Sequence, residues 1–238
     1  MGKKWIACLL TACMVYGLAG AQQADAYRLL REVKNRYAAP DNYRADVVYK
    51  VYKGHTSTAT DDIQSGEIEL YKGCSRFVMG RTEMVYNKKY NFRVDREFRE
   101  IDIHGTEGTP LPPGYANFDA LDSLLRKNKA LSFRQDPKGN VWLYLDFSAD
   151  RQSEYQKVTL QLSPGGELSK LVFYYRWDSR SYGVDESYLP RVEIEYRNQT
   201  FNAGLNEARF SEKQYFREEN RAVALQPEYK NFKLFYLP

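Results

Sequence analysis

The chain has 238 residues, a formal net charge of +4, 43 % hydrophobic and 15 % aromatic residues, with 20 Tyr against 12 Phe. Lys3 and Lys4 supply two of the four net charges. The remainder carries only about +2, a balance from which neither polyanion binding nor adhesion to a membrane surface follows.

Residues 1–21 read as a signal peptide. Lys3 and Lys4 form a cationic start, Trp5 to Leu18 is a mostly apolar run, and Ala19-Gly20-Ala21 has the small-x-small form of a cleavage site. Cleavage after Ala21 gives an exported chain beginning at Gln22. Leu10-Thr11-Ala12-Cys13 also spells a lipobox, which would make Cys13 a lipidated N-terminus but leaves an apolar region of only about eight residues. The run is shorter than the ~20 residues that span a bilayer. Cys8 and Cys13 precede Gln22, so the exported chain holds Cys74 alone, forms no internal disulfide and depends on its core. Residues 22–238 suit one domain that buries about 70–75 % of its unfolded surface.

Ala24 to Tyr37 predicts an amphipathic helix, with Tyr27, Leu30, Val33 and Tyr37 at three- and four-residue spacing, ended by Pro40. From Tyr43 the period becomes two, placing Tyr43, Ala45, Val47, Tyr49 and Val51 on one strand face. Ser65 to Tyr71 repeats the pattern, and short strands follow at 76–79, 83–86, 90–94 and 98–103, an antiparallel meander. Gly and Pro interrupt it over His104 to Ala116. A second helix carries Phe118, Leu121, Leu124 and Leu125. Strands resume at 131–135 and 141–147, a hairpin pairs 155–162 with 168–177, and 191–196 and 233–237 add further strands. About eleven antiparallel strands and two helices make a mainly β, α+β protein, stacked as a sandwich or curled into one highly bent sheet. Amphipathic helices need an apolar surface to cover, which favours the curled, unclosed β-barrel with the helices as a lid.

The order of these elements resembles the LolA-like family of periplasmic outer-membrane lipoprotein carriers. The resemblance rests on the Tyr43-Arg44-Ala45-Asp46-Val47 strand after the first helix, Gly66-Glu67-Ile68-Glu69-Leu70-Tyr71-Lys72 followed by Arg76-Phe77, the hairpin Met84 to Phe92, and Leu205-Asn206-Glu207-Ala208-Arg209-Phe210. Two departures stand out. The hairpin turn is Asn87-Lys88-Lys89 without the family's Gly, and Gly73-Cys74 stands where the founding members have Arg-Pro, so their Arg lid latch has no counterpart.

The resemblance implies a periplasmic carrier that binds lipid or lipoprotein acyl chains in an apolar cavity. Its expected partners are an inner-membrane donor and an outer-membrane acceptor, with transient membrane-surface contact, as a monomer and without nucleic acid, catalytic residue, metal or cofactor. The candidate cavity lining is Val47, Tyr49, Val51, Ile68, Leu70, Phe77, Met79, Met84, Tyr86, Phe92, Val94, Trp142, Tyr144 and Phe173. The lid would carry Tyr27, Leu30, Val33, Phe118, Leu121 and Leu125. The alternative is a closed core of the same residues in an envelope module that binds a protein or peptide, for instance by strand addition at an open sheet edge.

Enzyme chemistry finds little support. His55 and His104 are the only histidines, both in loop-like segments, with no Gly-x-Ser-x-Gly or H-E-x-x-H pattern. Cys74 reads as a half-buried strand-end thiol, and Asp146, Asp150 and Glu154 as solvated carboxylates. Lys88, Lys89, Arg93, Arg96 and Arg99 form a basic hairpin region interleaved with Asp95, Glu97 and Glu100, either a solvated face or a contact for anionic headgroups.

Overall fold

In the computed structural model, the described residues are 24–37, 42–105, 130–150, 153–176, 189–219 and 222–237. The expected signal segment and the expected second helix with Phe118, Leu121 and Leu125 lie outside them. Residues 24–37 form helix α1, whose buried stripe is Ala26, Leu30, Val33 and Tyr37, each at most 6 % exposed. Its solvent side carries Arg28, which pairs with Glu32 at 2.8 Å and Asp25 at 3.5 Å.

The period-two segments form strands: β1 (Asn42–Tyr52), β2 (Thr60–Tyr71), β3 (Cys74–Met79), β4 (Thr82–Tyr86), β5 (Tyr90–Asp95), β6 (Glu100–Gly105), β7 (Ala130–Gln135), β8 (Val141–Asp146), β9 (Tyr155–Leu162), β10 (Leu168–Tyr175), β11 (Arg191–Phe201), β12 (Phe216–Glu219), β13 (Ala222–Leu225) and β14 (Lys233–Leu237). Twelve of them make one long sheet in the order β14-β6-β5-β4-β3-β2-β1-β11-β10-β9-β8-β7, open at both ends and not closed into a barrel, while β12 and β13 form a separate hairpin. The sheet is antiparallel along the meander, but β14 joins β6 in parallel, with Leu234 opposite Ile101 and Tyr236 opposite Ile103. His104, expected in a loop, lies in β6 opposite Asn91.

Turn chemistry accounts for both departures from the family pattern. Tyr71 pairs with Cys74, leaving Lys72-Gly73 as a two-residue turn with φ of 46° and 82°, the left-handed pair that a tight hairpin needs. Proline fixes φ near −65° and has no N–H, so Arg-Pro would not suit this start of a paired strand. The Asn87-Lys88-Lys89 turn dispenses with glycine: Asn87 Oδ1 accepts from the amides of Lys89 (3.2 Å) and Tyr90 (2.9 Å), and Lys88 takes the positive φ.

The described residues divide into two compact units. The first, the helix unit, holds 24–37, 51–60, 130–150, 153–176 and 189–193. One face of its sheet carries Leu131, Leu143, Leu145, Val158, Leu160, Leu171 and Phe173, all at most 7 % exposed. The Tyr37 hydroxyl ties α1 to this sheet by accepting from the Leu168 amide at 2.9 Å. The second, the tail unit, holds 42–50, 61–105, 194–219 and 222–237. A buried cluster joins Val85, Phe92, Val94, Ile101 and Ile103 of the sheet to Phe210, Tyr215, Phe216 and Tyr229 of the C-terminal segment. That segment is therefore a structural cover for one sheet face.

Candidate functional site

Register decides which candidate residues share a surface. In the tail unit Ile68 lies opposite Phe77 and Phe77 opposite Met84; on either side, Leu70, Ser75 and Tyr86 form one row and Gly66, Met79 and Thr82 another. These side chains occupy the sheet face away from the C-terminal cover. Ile68 and Phe77 are buried, whereas Leu70, Met79, Met84 and Tyr86 are half-buried. The apolar patch stops at β5, where Arg93, opposite Met84, pairs with Asp102 at 2.6 Å. In β1, Val47 is buried and Tyr49 and Val51 are half-buried. Burial first, and the charge of Asp62 second, push the Tyr49 phenol pKa upward.

Phe92 and Val94 sit elsewhere. Val85 pairs with Phe92 and Glu83 with Val94, so both belong to the face under the C-terminal cover, where Phe92 meets Tyr215 and Phe216 at centroid distances of 5.1 and 5.2 Å. In the helix unit Phe173 lies in the buried face opposite Val158. Trp142 and Tyr144, opposite Gln161 and Thr159, point from the other face of that sheet. Of the lid residues, Leu30 and Val33 are buried and Tyr27 half-buried.

Two glutamates of the meander are buried. Glu69 and Glu83 lie under the C-terminal cover, with Arg76 bridging them: Nη1 donates to Glu69 Oε2 at 3.0 Å and Nε to Glu83 Oε1 at 2.6 Å. Arg209 approaches Glu69 at 2.7 Å, and Arg96 binds both Glu83 (2.9 Å) and the Tyr229 hydroxyl (3.0 Å). Burial opposes the charged form of Arg76, but Glu83 and Glu69 outweigh it and hold its pKa above the ordinary value. Alternation in sequence cannot distinguish such a network from a solvated face, because both read charge–apolar–charge.

Ion pairs engage Lys89, Arg93 and Arg96 of the basic hairpin region. Arg93 is paired with Asp102, Arg96 with Glu83, and Lys89 with Glu218 at 3.0 Å. Cys74 is buried at the start of β3, and burial, the largest influence, raises its thiol pKa, with Lys88 opposing and Glu207 adding. His55 Nε2 lies 2.8 Å from the Tyr175 carbonyl oxygen, and Arg191 donates to the carbonyls of His55 (2.6 Å) and Ser57 (3.0 Å), so His55 helps hold its loop to β10. Among the described residues no group of three or more His, Cys, Asp and Glu side chains is placed to hold a metal ion. Nor is any helix among them long and apolar enough to cross a membrane.

These features define a mainly β protein built on one long, unclosed sheet with a half-covered apolar surface. A solved structure of an uncharacterized conserved protein from Thermus thermophilus has this fold, with a TM-score of 0.51 and 11 % identity over 90 % of this chain and 99 % of that one. A putative outer membrane lipoprotein-sorting protein domain from Vibrio parahaemolyticus aligns with a TM-score of 0.38 and 14 % identity over 79 % of this chain and 98 % of that one. The lipoprotein LppX of Mycobacterium tuberculosis aligns with a TM-score of 0.43 and 9 % identity, over 77 % and 98 %. No family model matches the sequence, and no curated protein matches it.

Proposed function

We propose that this protein is an exported, non-catalytic carrier that holds lipid or lipoprotein acyl chains on the apolar face of the tail unit and delivers them to the outer membrane. The observation that carries this reading is the Ile68–Phe77–Met84 ladder with half-buried Leu70, Met79 and Tyr86 beside it, a continuous apolar surface bounded by the Arg93–Asp102 pair. Each CH₂ removed from water contributes ~0.8 kcal/mol, so a long acyl chain contributes about 8–12 kcal/mol before ordering costs. Met79 and Met84 supply flexible thioethers that adapt to irregular chains. Val47 and Tyr49 extend the surface. The motif order shared with the LolA-like carriers supports the same duty, in the periplasm between an inner-membrane donor and an outer-membrane acceptor.

The test is mass spectrometry of the protein purified from its native envelope, denatured and then native. A lipid-sized mass in the native spectrum, removed by delipidation and restored by an added fatty acid, is the expected result. No adduct and no uptake of a fluorescent fatty acid by the delipidated protein would overturn it. The denatured mass also reports whether the chain starts at Gln22 or at a lipidated Cys13.

A second reading has its own support at the sheet edge. Among the described residues strand β14 pairs only with β6, and Phe235 and Tyr236 are 47 % and 43 % exposed with no charged residue or Pro between Leu234 and Leu237. Such an edge suits addition of a partner strand. If the lipid test fails, capture of an extended peptide that Tyr236→Pro abolishes would establish this reading instead.

A further inference from the structure

The outward face of the helix unit carries a second, chemically different surface. A groove of 390 Å³ is lined by Arg134, Asp136, Trp142, Tyr144, Thr159 and Tyr174. Tyr174 is also a wall of an adjoining hollow of 410 Å³, which Asp146, Gln156, Lys157 and Ser148 help to line. The register explains the assembly: Arg134 stands opposite Trp142, Tyr144 opposite Thr159, and Asp146 and Tyr174 both opposite Lys157, so four neighbouring strands present these groups side by side.

Hydrogen bonding sets this groove apart. Thr159 is 3 % exposed, and its hydroxyl has no hydrogen-bond partner among the described residues. A buried hydroxyl without a partner costs roughly 1–3 kcal/mol, so its retention calls for an explanation. Among the described residues the Trp142 indole N–H and the Tyr144 and Tyr174 hydroxyls make no hydrogen bond either. Neither Trp142 nor Tyr144 stacks on another ring among them. Tyr174, in contrast, is held in place, with Lys157 Nζ 4.0 Å from its ring centroid and the His55 ring edge-on at 5.3 Å. Burial raises its phenol pKa, which keeps it a neutral donor.

Flat aromatic surfaces with unused polar tips call for a ligand that has apolar faces and many hydroxyls. Arg134 and Lys157 are balanced by Asp136 and Asp146, which provides no net attraction for a polyanion, and the polar density is wrong for an acyl chain. We propose that this groove binds an uncharged oligosaccharide, one sugar ring stacking on Trp142 while its hydroxyls bond Tyr144, Tyr174 and Thr159. This site shares no residue with the acyl surface and does not depend on the carrier reading.

The experiment is calorimetric titration of the delipidated full chain with chitotetraose and, separately, maltotetraose. Binding of at least one is expected, weakened about tenfold by Trp142→Ala, the scale of a single aromatic contact, and several-fold by the isosteric Thr159→Val. Met84→Asp, on the acyl surface, leaves it unchanged. Circular dichroism confirms that the variants fold. Binding of neither sugar at about 10 mM, well above the dissociation constants of specific sites, would overturn the proposal. So would binding unaffected by Trp142→Ala, or a self-association in sedimentation that Trp142→Ala abolishes, which would make the face an interface between copies.

Discussion

The Tyr215 hydroxyl donates to Glu83 Oε1 at 2.6 Å, joining the C-terminal segment to the second residue of β4 across 132 positions of sequence. Burial, then the hydrogen bond to Glu83, raises the Tyr215 phenol pKa above its ordinary value near 10. A group whose folded pKa is raised contributes stability that is complete below its unfolded pKa and disappears as pH climbs towards the folded one. Stability should therefore fall above about pH 10, where an unfolded tyrosine ionises. Tyr215→Phe is expected to cost about 2 kcal/mol at neutral pH and to flatten part of this alkaline fall, measured by urea denaturation across pH.

Arg76 bridges two buried carboxylates, so Arg76→Met would deprive Glu69 and Glu83 of their common partner. The expected loss is about 3–5 kcal/mol, the scale for breaking a buried charge pair on one side. Equilibrium unfolding checks it, and a loss below about 1 kcal/mol would mean that Arg96 and Arg209 suffice.

Phe92 and Met84 lie on opposite faces and should separate stability from binding. Phe92→Ala is expected to cost about 3–5 kcal/mol in unfolding free energy while the folded protein still takes up a fluorescent fatty acid. Met84→Asp is expected to weaken that uptake at least about tenfold with little change in unfolding, since a charge placed on a half-buried apolar surface opposes an acyl chain more than the fold.

Gly66 allows β2 to pass close to β3. A Cβ at this position would overlap the Val78 carbonyl oxygen, a backbone atom that cannot move aside alone. Gly66→Ala should destabilise the protein by about 1–3 kcal/mol, seen as a lower thermal midpoint.

Cys74 should be nearly inert in the folded state, because only the thiolate reacts and burial disfavours it. Labelling by a maleimide should be slow in buffer and fast in denaturant. Rapid labelling of the native protein would show that β3 opens readily at its first residue.

The sequence by itself determined the local elements. The apolar spacing of Leu30, Val33 and Tyr37 marks α1, Tyr155–Leu162 and Lys233–Leu237 appear as strands with the same bounds, and the meander order follows from period-two runs between turn residues. Tertiary structure alone decided which faces were joined. Period two groups residues within a strand, but the length and conformation of each turn set the parity of the next. The Asn87-Lys88-Lys89 turn pairs Phe92 with Val85 and leaves Met84 facing the other way. The cover supplied by Tyr215 and Phe216, the burial of Glu69 and Glu83 beneath it, the parallel docking of β14 and the outward setting of Trp142 all depend on contacts between segments distant in sequence. Such contacts leave no local period, because the free energy that selects them arises from surfaces that meet only once the sheet has formed.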